Sequence, residues 1–231
     1  MVVASADVEP VGEWTSVAQS EHVVASACVH VATRYGPVAV LSADGAKWTA
    51  MHESVTEKLR GLQRGTMEVR VPSLRAIHNA VDEIRRSGAR AVIVLADPTS
   101  TVVVASEFRQ AQVEIVLVGG PWLAGFSWKD PNILEGLTYV APYFPNSPTW
   151  ERFARAFNDA YREPADLAAA RGFDAATLLG AALSNEAERG ILPEEARLVA
   201  GYLLRGTNVG LDVVRIQGGE SALVGRMIVR D

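Results

Sequence analysis

Two short motifs in the chain resemble catalytic or metal-binding sequences, and each lacks one residue that its chemistry requires. GFSWK at residues 125–129 begins like a nucleophile elbow, but Lys129 stands where a second glycine must give the turn room to expose the serine. HESVT at 52–56 begins like a zinc-binding helix, but Thr56 replaces the second histidine, so no two imidazoles share a helix face. We therefore expect no catalytic role for Ser127, and we expect His52 to be a surface residue of a helix.

The other reactive side chains are scattered rather than clustered. His22, His30 and His78 fall on predicted helices without grouped acidic or cysteine partners, which predicts no metal site. Cys28 is the single cysteine, and its apolar surroundings (VVASACVHVA) predict a small buried side chain on a helix. The two common phosphate-binding motifs, GxGxxG and GxxxxGK followed by Ser or Thr, are absent from the sequence. We therefore expect no cofactor.

Groups that can bind a small molecule follow three predicted strands. Asp44 and Trp48 come after the first of these strands, Ser100 and Thr101 after another, and Trp122 after the next. Backbone N–H groups at the ends of parallel strands suit a polar ligand, and these side chains can add contacts to it. Simpler structural roles remain open for them: a turn with a helix cap at Asp44, an N-cap at Ser100, and aromatic cover for the sheet edge at both tryptophans.

Apolar periodicity predicts the elements that would position these residues. Short apolar runs alternate with segments of helical spacing, which is typical of βαβ units in a parallel, doubly wound sheet. The predicted strands are 37–44, 66–71, 89–96, 114–118 and 136–142, followed by a C-terminal hairpin of 213–216 and 222–229 around Gly218-Gly219. The predicted helices are 19–35, 46–62, 73–88, 100–111, 148–162, 165–184 and 193–204, the third capped by Ser73.

Composition narrows the classes of partner. The 231 residues are 48% hydrophobic, which is ample for a globular core, and the net charge of −5 is spread over 22 basic and 27 acidic residues. We expect no binding to nucleic acid or membrane surfaces, because no basic stripe is present. The first residues, MVVASADVEPVGEW, lack the basic and apolar regions of a secretory signal, so the chain as it stands is expected to be cytoplasmic.

The late part of the chain carries the most specific family resemblance. FDAATLLGAAL at 173–183 follows an aromatic segment with Phe153, Phe157, Tyr161 and Pro164. Together with the order of the earlier βα units, these residues resemble the branched-chain amino acid (Leu/Ile/Val) receptor family of type-I periplasmic binding proteins, which serve ABC transporters. The resemblance implies location in the periplasm or elsewhere outside the cytoplasm, if the chain is a fragment of an exported member.

The family resemblance implies a specific domain organisation. Family members have two α/β lobes with a ligand clamped between them, and the first part of the amino-terminal lobe has no counterpart in this sequence. We accordingly expect an N-terminal extension at 1–16, an α/β ligand-binding lobe at 17–145, and a partial second lobe of helices and a hairpin at 146–231. Helix 165–184 would then expose apolar surface, which predicts a homodimer or a second chain covering it.

The same resemblance implies binding without catalysis. The expected role is that of the substrate-binding component of an ABC-type transporter, with a permease as partner and a small polar or aromatic ligand such as an amino acid or amide. Amino-acid binders of the family place an acidic residue near the position of Trp122, and its absence favours an aromatic or amide-bearing ligand. Two alternatives remain: a regulatory or sensory domain with a vestigial crevice, and an α/β hydrolase-like enzyme acting through Ser127 or Asp44.

Overall fold

A computed structural model describes residues 2–3, 15–16, 18–62, 66–71, 76–124, 126, 129–184, 195–204 and 207–229 of the chain. The chain folds into two compact units. The larger unit contains Glu21–Ala141 and Val213–Val224, and the smaller contains Met1–Ser20, Pro142–Asp212 and Gly225–Asp231. The division expected from sequence instead groups the whole C-terminal hairpin with residues 146–231, and that domain assignment stays a prediction.

The elements are numbered in chain order. The strands are β1 (Val2–Val3), β2 (Thr15–Ser16), β3 (Val38–Ala43), β4 (Thr66–Val71), β5 (Ala91–Leu95), β6 (Val116–Gly119), β7 (Thr138–Ala141), β8 (Glu195–Leu198), β9 (Gly201–Leu204), β10 (Thr207–Asn208), β11 (Gly210–Gln217) and β12 (Glu220–Ile228). The helices are α1 (Glu21–Thr33), α2 (Ala46–Gly61), α3 (Ile77–Ser87), α4 (Pro98–Gln110), α5 (Pro148–Tyr161) and α6 (Leu167–Ser184).

A seven-stranded sheet organises the larger unit, in the order β12-β11-β7-β6-β5-β3-β4. Strands β3 to β7 pair in parallel, and α2, α3 and α4 connect the first four of these strands in chain order. Strand β5 (AVIVL) is buried along its whole length, as expected for a parallel strand covered on both faces. This arrangement confirms the α/β class and the parallel, doubly wound sheet that the sequence predicts.

The predicted C-terminal hairpin is also present. Strands β11 and β12 are neighbours at one edge of the seven-stranded sheet. The turn between them has positive φ angles of 59° at Gly218 and 79° at Gly219. Two consecutive positive φ angles are those of a type I′ turn, which glycine adopts without steric cost. The Gly218-Gly219 signal in the sequence therefore located the turn correctly.

One predicted helix is wrong. Residues 193–204 were expected to be helical, but the described part of this segment forms β8 and β9, which pair in an antiparallel manner. Gly201, the first residue of β9, has φ 137°, and a Cβ there would overlap the Asn208 side chain. Short apolar runs do not distinguish a strand from a helix. Here contacts with residues outside the segment stabilise strands, although several residues in the segment favour a helix.

Asp174 on α6 stabilises the turn between β8 and β9. Its carboxylate oxygens accept hydrogen bonds from the backbone N–H groups of Val199 at 2.7 Å and Ala200 at 3.0 Å. Burial raises the pKa of Asp174, while these two hydrogen bonds act in the opposite direction. The aspartate of the FDAATLL segment therefore has a structural role within the smaller unit.

The two faces of α6 differ in burial. Leu178 is buried against Leu198 and Leu203. Phe173, Leu179 and Leu183 remain exposed. The predicted homodimer or second chain would have to cover this exposed apolar face, and that association stays a prediction.

Candidate functional site

The strand order creates a topological switch point at the carboxyl ends of β3 and β5. The sheet extends from β3 to β4 on one side and through β5, β6 and β7 on the other. Ligands of open parallel sheets bind in the crevice that the loops form at such a point. The loops here begin at Asp44 after β3 and Ala96 after β5, with Gly120 after the adjacent β6. These are the loops that carry the predicted site residues.

Two of those residues are in direct contact. The rings of Trp48 and Trp122 lie edge to face, with centroids 5.2 Å apart and an interplanar angle of 78°. Trp48 is on the first turn of α2, and Trp122 is in a 3-10 turn after β6, so the contact joins loops on either side of the end of β5. Both residues are half-buried. The structure thus forms an aromatic pair at the switch point from residues 74 positions apart.

The absence of a side chain at Gly120 permits this arrangement. A Cβ at Gly120 would overlap the six-membered ring of Trp122, so the indole lies against the backbone of Gly120. The backbone of Gly120 is extended, with φ −117°, which any residue adopts. The requirement for glycine here is therefore the space taken by the ring rather than the backbone conformation.

The two tryptophans of the pair differ in their polar contacts. Lys47 Nζ lies 4.8 Å from the centroid of the Trp48 ring, within range of a cation–π interaction. Trp122 Nε1 is buried, and it has no hydrogen-bond acceptor among the described residues. An indole nitrogen can only donate, and a buried donor without an acceptor costs about 1–3 kcal/mol. Trp122 therefore has an unused hydrogen-bond donor at the switch point.

The end of β5 is followed by a helix whose cap is Asp97, not Ser100. Asp97 Oδ1 accepts a hydrogen bond from the Ser100 N–H at 3.1 Å, and Ser100 Oγ donates to Asp97 Oδ2 at 2.6 Å. Burial acts to raise the pKa of Asp97, but hydrogen bonds from Ser100 and Thr99 keep that pKa below its ordinary value. The N-cap alternative for Ser100 is thus wrong, although the Ser100 hydroxyl is engaged by the cap.

Thr101 lies inside the first turn of α4 rather than on its surface. It is fully buried, and its Oγ1 donates to the Asp97 carbonyl oxygen at 2.9 Å. A side chain in this position supports the helix start and has no surface for a ligand in this conformation. The place of Thr101 in the predicted site remains a hypothesis, and in this conformation its hydroxyl contacts the backbone of Asp97.

Asp44 is exposed in the loop between β3 and α2. The N-cap of α2 is Gly45, with φ 126° and no side-chain cap hydrogen bond, so Asp44 does not cap the helix. Its carboxylate lies four positions before Trp48. The loop therefore presents one acidic and one aromatic side chain at the same strand end.

The other residues that could carry chemistry do not form a reactive site among the described residues. Burial raises the pKa of Cys28 to about 12, so its thiol is a poor nucleophile, and Sγ donates to the Gly119 carbonyl at 3.6 Å. The buried position of Cys28 confirms the prediction from its apolar surroundings. No group of three or more His, Cys, Asp or Glu that could hold a metal occurs in the part of the chain that the structure describes. Ser127 lies outside the described residues, as does the predicted helix cap Ser73.

His52 corrects a prediction from sequence. It was expected on a helix surface, but it is 3% exposed and its Nε2 donates to Glu68 Oε2 at 3.2 Å. Glu68 also accepts from Arg60 at 3.0 Å. Glu68 on strand β4 therefore supplies the partner that a buried histidine on α2 needs. The helical spacing of the sequence does not predict this partner.

A second concave region lies at the opposite end of β6. This half-open depression is lined mainly by apolar side chains, including Phe108, Val113 and Ile133, with Arg109 and Glu135 also present. It contains none of the predicted site residues. The switch-point loops, with an aromatic pair and an unused donor, are the better candidate site.

Three features of the site were missed from sequence: the Asp97 cap, the Lys47 contact and the role of Gly120. Asp97 followed by Pro98 is a recognisable helix-start signal, because proline favours the first helical position. The other two depend on where the Trp48 and Trp122 rings lie, and nothing in the local sequence specifies that.

A family model described as a periplasmic binding protein matches residues 8–200. A search of the curated proteins found no match to the sequence. Among solved structures, a putative branched-chain amino acid ABC transporter protein from Rhodospirillum rubrum is 16% identical with a TM-score of 0.73. An ABC transporter substrate-binding protein from Desulfitobacterium hafniense in complex with Leu is 18% identical with a TM-score of 0.66. Each alignment covers 91% of this chain and 67% of the other.

A third solved structure is an R. palustris ABC-transporter solute-binding protein in complex with benzoate. It is 17% identical with a TM-score of 0.60, covering 94% of this chain and 67% of the other. These similarities establish the fold, and the family match spans most of the sequence. The chain belongs to the periplasmic binding protein family.

Membership confirms the family that the sequence resembles. Its members bind small-molecule ligands outside the cytoplasm and work with ABC transporter permeases. Among the described residues, no helix is long and apolar enough to cross a membrane.

Proposed function

We propose that this chain binds a small polar or aromatic molecule, such as an amino acid, an amide or a related compound, and releases it chemically unchanged. The observation that carries the proposal is the Trp48–Trp122 pair at the topological switch point. Aromatic rings at such a position supply a large apolar contact area at low conformational cost.

The proposed contacts are Asp44, Trp48, Ser100 and Trp122, with Thr101 supporting the start of α4. The two indoles would contact the apolar part of the ligand. Asp44 is exposed and bears a carboxylate, while the Ser100 hydroxyl, already bonded to Asp97, offers its oxygen as an acceptor. The solved relatives with bound Leu and benzoate give two starting points for the ligand, one an amino acid and one an aromatic acid.

Family membership supports a more specific role. We propose that the chain acts outside the cytoplasm as the substrate-binding component of an ABC-type transporter, handing its ligand to a membrane permease. Capture without conversion suits this role, since the transporter must receive the same molecule that was bound.

Calorimetric titration with L-leucine, benzoate and benzamide tests the proposal. Trp122→Ala should weaken binding of the tightest of these ligands by about 2 kcal/mol or more, the loss typical of a buried aromatic anchor. Trp150→Phe is the matched control, because Trp150 lies in the core of the smaller unit. Unchanged affinity in Trp122→Ala would remove Trp122 from the site.

A second measurement tests the absence of conversion. Each bound compound is incubated with a stoichiometric amount of protein and then examined by mass spectrometry. Recovery of the unchanged compound is expected, and a new product would replace the binding role with an enzymatic one.

A further inference from the structure

The unused donor on Trp122 carries information about the ligand. Nearby backbone acceptors are engaged by the local turn: the Gly120 carbonyl accepts from Leu123 N–H at 3.1 Å, and the Pro121 carbonyl accepts from Ala124 N–H at 3.0 Å. The Gly119 carbonyl accepts from Cys28 Sγ. Trp122 Nε1 is itself buried, and it has no acceptor in the described part of the chain.

Such a donor discriminates between ligand groups. An oxygen that accepts from Nε1 removes the desolvation cost of the buried N–H, so it gains more than the same oxygen would gain from a solvated donor. An ammonium group in the same place would set donor against donor. The environment of Trp122 therefore favours a carbonyl or carboxylate oxygen and disfavours an amine.

The aromatic pair specifies the rest of the ligand. Trp48 and Trp122 bring two rings together from the loops after β3 and β6, and Lys47 Nζ lies beside the Trp48 ring. A planar ring can pack against both indoles in the offset or edge-to-face geometry that aromatic groups prefer. Lys47 adds a positive charge, which suits a carboxylate on that ring.

Resting on the proposed function, we infer that the ligand of this site is an aromatic compound bearing a carbonyl or carboxylate oxygen, which accepts a hydrogen bond from Trp122 Nε1. The nitrogen has no accessible surface in this structure, so a ligand reaches it only when the Trp122 indole or its neighbours, which include the Trp48 ring, move. Binding therefore changes the environment of both tryptophans.

Four probes with systematically different polar groups test this inference by calorimetry. Benzoate and benzamide carry an oxygen acceptor on a ring, benzylamine carries an ammonium group on the same ring, and L-leucine lacks the ring. Benzoate and benzamide should bind at least about 10-fold more tightly than benzylamine, the difference expected for one hydrogen bond against an unpaired donor.

The matched variants are Trp122→Phe and Trp48→Phe. Trp122→Phe keeps an aromatic ring but removes the N–H, and it should lower affinity for benzamide and benzoate about 10-fold while bringing benzylamine to a similar affinity. Trp48→Phe should preserve the preference for the oxygen-bearing probes. If Trp122→Phe leaves that preference unchanged, the hydrogen bond is absent and the inference is overturned.

An NMR measurement on the unmodified sequence keeps the test valid if Trp122→Phe does not fold. The indole N–H resonance of Trp122 should move downfield when benzamide is added, and a resonance that does not respond overturns the inference. If L-leucine or benzylamine binds as tightly as benzoate and benzamide, the inference fails but the proposed function stands. If the two oxygen-bearing probes do not bind, the inference fails, and the proposed function then depends on the L-leucine result.

Discussion

Two aromatic clusters in this protein contain similar residue types but differ in burial and in hydrogen bonding. In the larger unit, Trp48 and Trp122 meet edge to face at 5.2 Å, and both are half-buried. In the smaller unit, Trp150 stacks on Tyr143 with centroids 3.7 Å apart and is 6% exposed, and Phe153 packs beside it. The first cluster has a buried donor without an acceptor, whereas the second forms a packed core.

The difference can be traced to where the residues lie in the sequence. Trp150, Phe153 and Phe157 recur at helical spacing along α5, so one face of that helix must be covered. Trp48 and Trp122 follow separate strands and share no periodic pattern. Aromatic residues that complete a helix face indicate packing, and aromatic residues at strand ends of a parallel sheet indicate a binding site.

The largest expected effect is on the packed cluster. Trp150→Ala should lower the free energy of unfolding by about 3–5 kcal/mol, because it leaves a cavity beside Tyr143 and Phe153. Trp48→Ala is the matched control and should cost about 1 kcal/mol, since that ring is half-buried. Urea unfolding of both variants measures the difference, and equal losses would contradict the distinction between the clusters.

Asp174→Ala tests what supports the packed cluster. Val199 and Ala200 belong to the same core as Trp150, and their N–H groups are bonded to the Asp174 carboxylate. Removing the carboxylate leaves two buried donors unpaired, so unfolding should become easier by about 2–3 kcal/mol. Ligand affinity at the larger unit should not change. A loss below about 0.5 kcal/mol in urea unfolding would mean that water replaces the carboxylate.

Gly120→Ala should affect the Trp48–Trp122 pair, with a smaller cost in stability. The new methyl group overlaps the Trp122 ring, and the ring can move because it is the end of a side chain. We expect a loss of about 1 kcal/mol and a clear change in the near-ultraviolet circular dichroism of the tryptophans. Gly172→Ala is the control, since a Cβ there meets nothing within 4 Å. An unchanged spectrum would show that the pair tolerates a side chain at residue 120.

The sequence predicts the regular part of this fold well. Strands such as β5 are short apolar runs between amphipathic helices, and Gly218-Gly219 marks the hairpin, so local pattern and final structure agree. The β8–β9 segment was mispredicted because its turn depends on Asp174 from α6 and on Gly201 beside Asn208. The Asp174 contact joins residues 25 positions apart, and the Gly201–Asn208 contact depends on side-chain placement, so no local pattern predicts either of them.

The candidate site, like the fold, has features that the sequence predicts and features that depend on contacts between distant elements. Positions at strand ends identified Trp48 and Trp122 as candidates, because the carboxyl edge of a parallel sheet is defined by topology alone. Their contact, and the buried nitrogen of Trp122, depend on side-chain conformation over Gly120. The buried position of His52 likewise depends on a partner, Glu68, supplied by another element.

The smallest expected effect concerns the support of α2, the helix that carries Trp48. The hydrogen bond from His52 is the main cause that lowers the pKa of Glu68 from 4.5, with a further contribution from Arg60 and opposition from burial. The folded protein therefore keeps Glu68 ionised to a lower pH than the unfolded chain does, so this group stabilises the fold fully above about pH 4.5. That contribution is lost as pH falls through the lowered pKa of the folded state. Because the side chain is 37% exposed, solvent screening limits the effect to less than about 1 kcal/mol.

Urea unfolding of Glu68→Gln measures this contribution. The variant should be less stable than the unchanged protein at pH 7, and the difference in stability should close under acidic conditions. A difference that persists unchanged at low pH would show that the His52–Glu68 hydrogen bond does not depend on the ionised carboxylate.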